Sequence, residues 1–193
     1  SQMLVASGYA LSLSMAGGTR LFVPFMGEIE FGVWFIPFCI FVILSMTNAV
    51  NFADGIDGLC GLVSFVVSLF FIIAAGIGKF FGQSLLAAAF AGSLAGFLIW
   101  NLHPARVFMG DTGSLFIGGL ITALAFGINI AEMLSVVLQV LYFKATHGRR
   151  LFKMSPLHHH FELSGWSENK IVTIFSLLTA AGGIVAWVLL LYA

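Results

Sequence analysis

Long apolar blocks alternate with short polar or glycine-rich junctions along this chain. A helix needs about 20 mostly apolar residues to cross a bilayer. On that measure the pattern predicts spans at residues 3–16, 33–50, 59–77, 84–102 and 171–192. Between the first two, Thr19 to Gly32 alternates apolar and polar residues inside glycine brackets, which predicts a short hairpin outside the membrane. Residues 112–143 are harder to divide. Two full spans and a turn need about 40 residues or more, and 32 are present. One span there would scatter the positive charges. Two place Arg106, Lys144, Arg149, Arg150, Lys153 and Lys170 on one side, opposite only Arg20 and Lys79, as the positive-inside rule expects. Two shortened spans are therefore predicted, at 113–129 and 132–143, with residues expected to be missing near Ile130 and Ala131. The sum is an all-α, polytopic membrane bundle of about seven spans. It forms one transmembrane domain over residues 1–193, with the polar junctions at 48–59, 103–111 and 146–170 on the cytoplasmic side.

Composition strengthens this picture. Of 193 residues, 60% are hydrophobic and 8% charged, with a mean hydropathy of +1.07. Soluble domains carry about 25% charged residues. The formal net charge is zero, so no nucleic-acid partner is expected. Cys39 and Cys60 lie in or beside apolar runs and read as small core residues rather than a disulfide or metal pair. Ser1 opens almost directly into an apolar run without a basic leader, so no cleavable signal peptide is expected.

The chain has three aspartates, and all of them sit in the junctions. Asp54 and Asp57 belong to Asn48-Ala-Val-Asn-Phe-Ala-Asp-Gly-Ile-Asp-Gly-Leu59, and Asp111 to Phe108-Met-Gly-Asp-Thr-Gly-Ser114. A carboxylate close to lipid is costly to ionise, which favours a functional reading. On a helical turn Asp54 and Asp57 share a face. One would then act as a base or hold a cation while the other binds substrate; the competing reading is a polar helix cap, which applies to Asn48 as well. Asp111, with Thr112 and Ser114, suits a magnesium–diphosphate site, because Mg²⁺ takes carboxylate and phosphate oxygens and free helix amides bind phosphate. An N-cap aspartate is the competing reading. Phe108 either stacks on a base or anchors the membrane interface. Three consecutive histidines, His158 to His160, cannot all point the same way, which argues against an all-histidine zinc site. One or two would meet phosphate or move protons. Arg149, Arg150 and Lys153 either attract a phosphorylated ligand or only set orientation. Together these residues point to phosphoryl transfer at the level of the lipid head groups.

The junctions resemble a known family. Asn48 to Leu59 and Val107-Phe-Met-Gly-Asp-Thr-Gly-Ser114 look like signatures of the polyprenyl-phosphate sugar-1-phosphate transferases. Ser155-Pro-Leu-His-His-His-Phe-Glu-Leu-Ser-Gly-Trp166 resembles the histidine loop of the phospho-N-acetylmuramoyl-pentapeptide transferase family within them. The resemblance implies transfer of phospho-N-acetylmuramoyl-pentapeptide from its UDP carrier to undecaprenyl phosphate, giving lipid I and UMP for peptidoglycan. It also implies Mg²⁺, a homodimer of about ten helices per subunit, and inhibition by tunicamycin and other nucleosides. The location would be the bacterial inner membrane, with the active site on the cytoplasmic face and the hairpin of residues 19–32 periplasmic. By position, Asp111 matches the magnesium ligand and Asp54 the essential carboxylate beside the diphosphate. Gly55, Ile56 and Asp57 match the uracil pocket, Phe108 its stacking aromatic, and Asn51 and Asn101 nucleoside contacts. His158, His159 and His160 match the cleft histidines, with His158 and His159 favoured. Gln139, in Ser135-Val-Val-Leu-Gln-Val-Leu-Tyr-Phe143, matches a ligand contact. The family's adjacent aspartate pair and basic residues on an earlier loop have no counterpart, so the chain is expected to be the C-terminal portion of a longer protein. The alternatives are a related UDP-N-acetylglucosamine transferase and a non-catalytic scaffold or transporter.

Overall fold

A computed structural model of the chain describes residues 2–15, 19–23, 27–77, 79, 81–122, 142, 144, 146, 150 and 152–191. The elements are α1 (Gln2–Met15), β1 (Arg20–Val23), β2 (Gly27–Glu30), a 3₁₀ turn (Gly32–Trp34), α2 (Phe35–Ala53), α3 (Leu59–Ile77), α4 (Phe81–Asn101), α5 (Gly110–Ile121), α6 (Leu157–Glu162) and α7 (Glu168–Leu191). The expected hairpin is present: β1 and β2 pair antiparallel, with Arg20 opposite Glu30 and Val23 opposite Gly27.

Four helical stretches among the described residues are long and apolar enough to cross a membrane: Gly32–Ala53, Leu59–Ile77, Phe81–Asn101 and Glu168–Val185. The fold is that of an all-α membrane protein. Helix α1 has 14 residues and α5 has 12. At about 1.5 Å per residue, the described part of each is shorter than a hydrocarbon core of about 30 Å. Most of the two spans predicted within 113–143 lies outside the described residues.

Helix α3 is the hub, packed against α4, α7, α5 and α2. Helix α4 buries Ala87, Ala91, Leu94, Leu98 and Asn101 along one stripe of three- and four-residue steps. Helix α3 answers with Cys60, Gly61, Val63, Ser64, Val67 and Ser68. Small residues at these seams let helices approach closely, as membrane helices require. A Cβ on Gly118 of α5 would sit 2.6 Å from Thr47 Cα, so α5 lies directly on the α2 backbone. Leu4, Phe41, Ile73, Leu85 and Ile99 instead point outward, where lipid would cover them. Beneath the polar junctions one apolar cluster joins the helices, with Val50, Ala53, Ile56, Leu59, Ile117, Ile171 and Phe175 among its members.

Asn48 lies inside α2, so the helix-cap reading is corrected. Its Nδ2 donates to Gln2 Oε1 at 3.2 Å and to Leu44 O at 2.7 Å, tying α1 to α2.

Candidate active site

The turn between α2 and α3 is the centre of the site. Asp54 ends α2, its N–H donating to Asn51 O at 3.2 Å. Gly58 turns the chain into α3 with φ +78°, a left-handed conformation that glycine adopts without strain. The N–H of Gly58 donates to Asn101 Oδ1 at 3.1 Å, and Asn101 Nδ2 donates to Val107 O at 2.9 Å. Asn101 is 4% exposed, with both ends of its amide engaged. It holds the α4–α5 loop against this turn.

That loop returns the second aspartate motif. Gly110 opens α5 with φ +65°. Asp111 follows it in the first helical turn; the N-cap is Met109, with no side-chain cap bond, so the N-cap reading of Asp111 is corrected. Asn51 Nδ2 donates to Asp111 Oδ1 at 3.1 Å and to Ser114 Oγ at 2.8 Å, while Ser114 Oγ donates to Gly110 O at 3.1 Å. Asp54 joins the group by accepting a hydrogen bond from the Gly110 backbone. Burial pushes the Asp54 carboxyl above the usual carboxylate range. The Gly110 N–H partly opposes that rise, and the negative charge of Asp111 adds to it.

Asp57 goes elsewhere. The segment between Asp54 and Gly58 is a turn, not a helix, so the expected common face for Asp54 and Asp57 does not form. Asp57 Oδ2 accepts the Ala105 N–H at 2.9 Å and lies 3.2 Å from His103 Nδ1, which lies 3.1 Å from Glu168 Oε2. Within this Asp57–His103–Glu168 group the ligand-type atoms all lie within 4.8 Å of one another, a geometry open to a metal ion.

The histidine stretch arrives from the far end of the chain. Pro156 sits at the N-cap of α6, and Phe161 stacks on Trp166 at 4.6 Å and meets Phe175 of α7 edge-on at 5.9 Å. This aromatic anchoring brings His158 and His159 over the α2–α3 turn. A Cβ added to Gly55 would lie 2.6 Å from His158 Nε2 and 3.5 Å from His159 Nε2. Glycine is needed there for the close approach. His158 is fully buried, and its ring lies 4.2 Å from that of His159. His159 Nδ1 lies 2.6 Å from Glu162 Oε2, which fixes its ring. His160 turns away, its Nδ1 accepting the Lys153 N–H at 3.0 Å.

The sequence-derived site residues thus divide. Asn51, Asp54, Gly55, Asp111, His158 and His159 are linked through these contacts. Ile56 is buried below them and Phe108 is 72% exposed on the loop above. Asp57 and Asn101 brace that loop, and Gln139 lies outside the described residues. Sequence reasoning missed His103 and Glu168. Each opens its element, the α4–α5 loop or α7, but no spacing rule pairs residues so far apart in sequence.

Residues 1–129 match glycosyl transferase family 4. The chain belongs to that family. Within it the chain is 44% identical over 193 aligned positions to the phospho-N-acetylmuramoyl-pentapeptide-transferase of Acetivibrio thermocellus, covering 92% of this chain and 58% of that protein. It is 46% identical to the protein of the same name from Clostridium novyi, covering 84% of this chain and 54% of the relative. The counterpart from Clostridium beijerinckii is 42% identical, covering 98% and 64%. The chain therefore spans a little over half the length of these relatives.

The donor chemistry at this turn fits a hard divalent cation. Asp54 and Asp111 supply hard carboxylate oxygens, and a carboxylate raised by burial and by a like charge is short of positive charge.

Proposed function

We propose that this chain carries the nucleotide-sugar site of a phospho-N-acetylmuramoyl-pentapeptide transferase. UDP-N-acetylmuramoyl-pentapeptide is the donor and undecaprenyl phosphate the acceptor, and lipid I and UMP are the products. An oxygen of the lipid phosphate attacks the β-phosphorus of the donor, and the bond from that phosphorus to the UMP oxygen breaks. The observation that carries this reading is the meeting of three separated motifs at one turn: Asn51 on Asp111, Asp54 on Gly110, and His158 and His159 against Gly55. Such a site suits phosphoryl transfer, in which positioning and charge neutralisation do most of the catalysis.

Asp111, with Asp54 beside it, would hold Mg²⁺, which supplies charge neutralisation at the diphosphate. Asn51 orients Asp111. His158 and His159 meet phosphate oxygens or hold a proton near the attacking oxygen, and His160 lies at the edge of the cleft. Gly55, Ile56 and Asp57 form the floor of the uracil pocket, Phe108 stacks on the base, Asn101 shapes the pocket from behind, and Gln139 completes the ligand contacts. The site faces the cytoplasm at the bacterial inner membrane, the working form is a homodimer, and tunicamycin-type nucleosides compete for the uridine pocket.

The test is transfer to undecaprenyl phosphate by the complete protein in membranes. Mg²⁺-dependent release of UMP from the muramoyl donor but not from UDP-N-acetylglucosamine is expected. Release from UDP-N-acetylglucosamine instead would replace this reading with the related transferase. Full Mg²⁺-dependent turnover by Asp111→Ala would overturn the site assignment.

A further inference from the structure

The loop between α4 and α5 carries Phe108, yet that side chain is 72% exposed and has little of its own to hold it. Its position depends on how the loop is pinned. At its base Arg106 N and Val107 N donate back to Trp100 O at 2.8 and 3.3 Å. Beside the Asn101 bridge from Gly58 to Val107 O, there are two further pins on the side facing the α2–α3 turn. Asn51 holds Asp111 on one side of Phe108. Asp57 holds Ala105 and His103 on the other. The second pin is extended by Glu168, the first residue of α7, through the same His103 nitrogen. One ring nitrogen carries at most one proton, so Nδ1–H serves two carboxylates either alternately or as a shared donor.

We propose that Asp57, His103 and Glu168 form a latch that sets the height of the Phe108 loop over the α2–α3 turn. His103 is the shared donor, Glu168 is a positioning residue, and Asp57 holds the loop through Oδ2 from its place in the pocket floor. The proposal rests on the nucleoside reading of that loop. It adds a task for the carboxylate of Asp57 there: Oδ2 faces the loop's own donors. The latch also couples two walls of the cleft. Glu168 follows closely on Trp166, whose ring stacks on Phe161 of the histidine helix. A shift of α7 at Glu168 therefore reaches both the histidines and Phe108.

A divalent ion is the competing occupant, since the three donor atoms lie within 4.8 Å. The hydrogen-bonded latch is favoured because Asp57 Oδ2 already sits at hydrogen-bond distance from two donors. His103 and Glu168 are also 43% and 38% exposed, open to water rather than enclosing an ion.

The test uses the full chain in lipid nanodiscs, with hydrogen exchange at Ala105 to Val107, the melting temperature and UMP affinity measured together. His103→Ala is expected to speed exchange in this segment and weaken UMP binding about tenfold, the scale of one lost charge-assisted contact, with the melting temperature little changed. Glu168→Gln should do the same more weakly. His103→Asn, whose amide N–H takes the place of Nδ1–H, should restore both within about twofold. A purely structural histidine would give no such rescue with an unchanged melting temperature. Unchanged exchange in His103→Ala, or no rescue by His103→Asn, overturns the latch. So does a Zn²⁺-dependent rise in melting temperature that His103→Ala abolishes, because the group would then be a metal centre. If exchange responds as expected but the unmutated chain does not bind UMP, the latch stands and the nucleoside reading falls.

Discussion

Asp54 and Asp57 share one glycine-rich turn, and their carboxylates meet opposite surroundings. Asp54 faces another carboxylate. It is half-buried, and burial and the charge of Asp111 both raise its pKa against a single opposing backbone N–H. Asp57 meets a backbone N–H and a histidine, and that histidine stands between it and the carboxylate of Glu168. A carboxylate set against a like charge leaves a deficit that a cation or a proton must fill. One whose oxygen already accepts hydrogen bonds from a neighbouring loop serves to fix that loop. Two identical side chains three residues apart thus separate into a group set against a like charge and a group that holds the loop beside it.

The comparison breaks most visibly in activity. Asp111→Asn and Asp54→Asn are expected to lower Mg²⁺-dependent turnover of the complete protein by at least about 100-fold, because both remove charge where the diphosphate would be neutralised. Asp57→Asn keeps an acceptor for Ala105 and should cost about tenfold, the scale of a weakened hydrogen bond. Equal losses in a radiolabelled lipid-transfer assay would show that Asp57 also touches the reacting groups.

Gly55→Ala tests the other wall. The new Cβ would lie 2.6 Å from His158 Nε2, and His158 is fully buried with nowhere to retreat. Overpacking of this kind costs about 1–3 kcal/mol. A fall of roughly tenfold in activity is expected, with the protein still extracted as a folded species. Activity unchanged in Gly55→Ala would mean that the histidine helix is not seated against the turn during turnover.

How much of this was legible in the sequence differs between the two aspartates. The membrane class and the four long helices followed from apolar run length, since the bilayer imposes its own ruler. The hairpin at residues 20–30 followed from alternation between glycines. That Asp54 and Asp111 belong together followed from the family resemblance of their two glycine-rich motifs, which sets both beside the diphosphate. The partners of Asp57 could not. His103 and Glu168 lie in different junctions, and only the packing of α4 and α7 on α3 brings them to it. The shared face expected of Asp54 and Asp57 failed for a local reason: the chain between them turns, and Gly58 at φ +78° reverses its course. Asn101, which the family resemblance matches to a nucleoside contact, also ties the α4–α5 loop to the turn through both ends of its amide, a role that no motif announces.

A subtler separation is expected in titration. A carboxyl whose folded pKa is raised is more stable protonated in the folded chain than in the unfolded one. Its stabilising effect is present at low pH and is lost as pH rises through the raised value. Without divalent cation, the gap in melting temperature between the native chain and Asp54→Asn should therefore change with pH in the window just above the usual carboxylate range. Asp111→Asn, by removing the neighbouring charge, should move that window down. An infrared carboxyl titration in which Asp111→Asn leaves Asp54 unmoved would show that the two groups do not sense each other.

The smallest effect is expected at His160, and it sharpens the same lesson on the opposite wall. Three histidines in a row invite a single role, yet their rings divide as the aspartates do. His158 and His159 reach Gly55, and His159 is set by Glu162 at 2.6 Å. His160 accepts the Lys153 N–H and lies between Phe152 and Phe161, with ring distances of 5.7 and 5.6 Å, on the side away from Gly55. The bond from Lys153 holds the chain leading into the helix. His160→Asn, which retains polar character close to the backbone, should leave turnover within about threefold, the worth of one neutral hydrogen bond. His158→Asn and His159→Asn should each cost about 100-fold, the range of general acid–base or charge contributions. Measured side by side, equal losses at all three positions would mean that the helix turns a third face to the substrate when it binds.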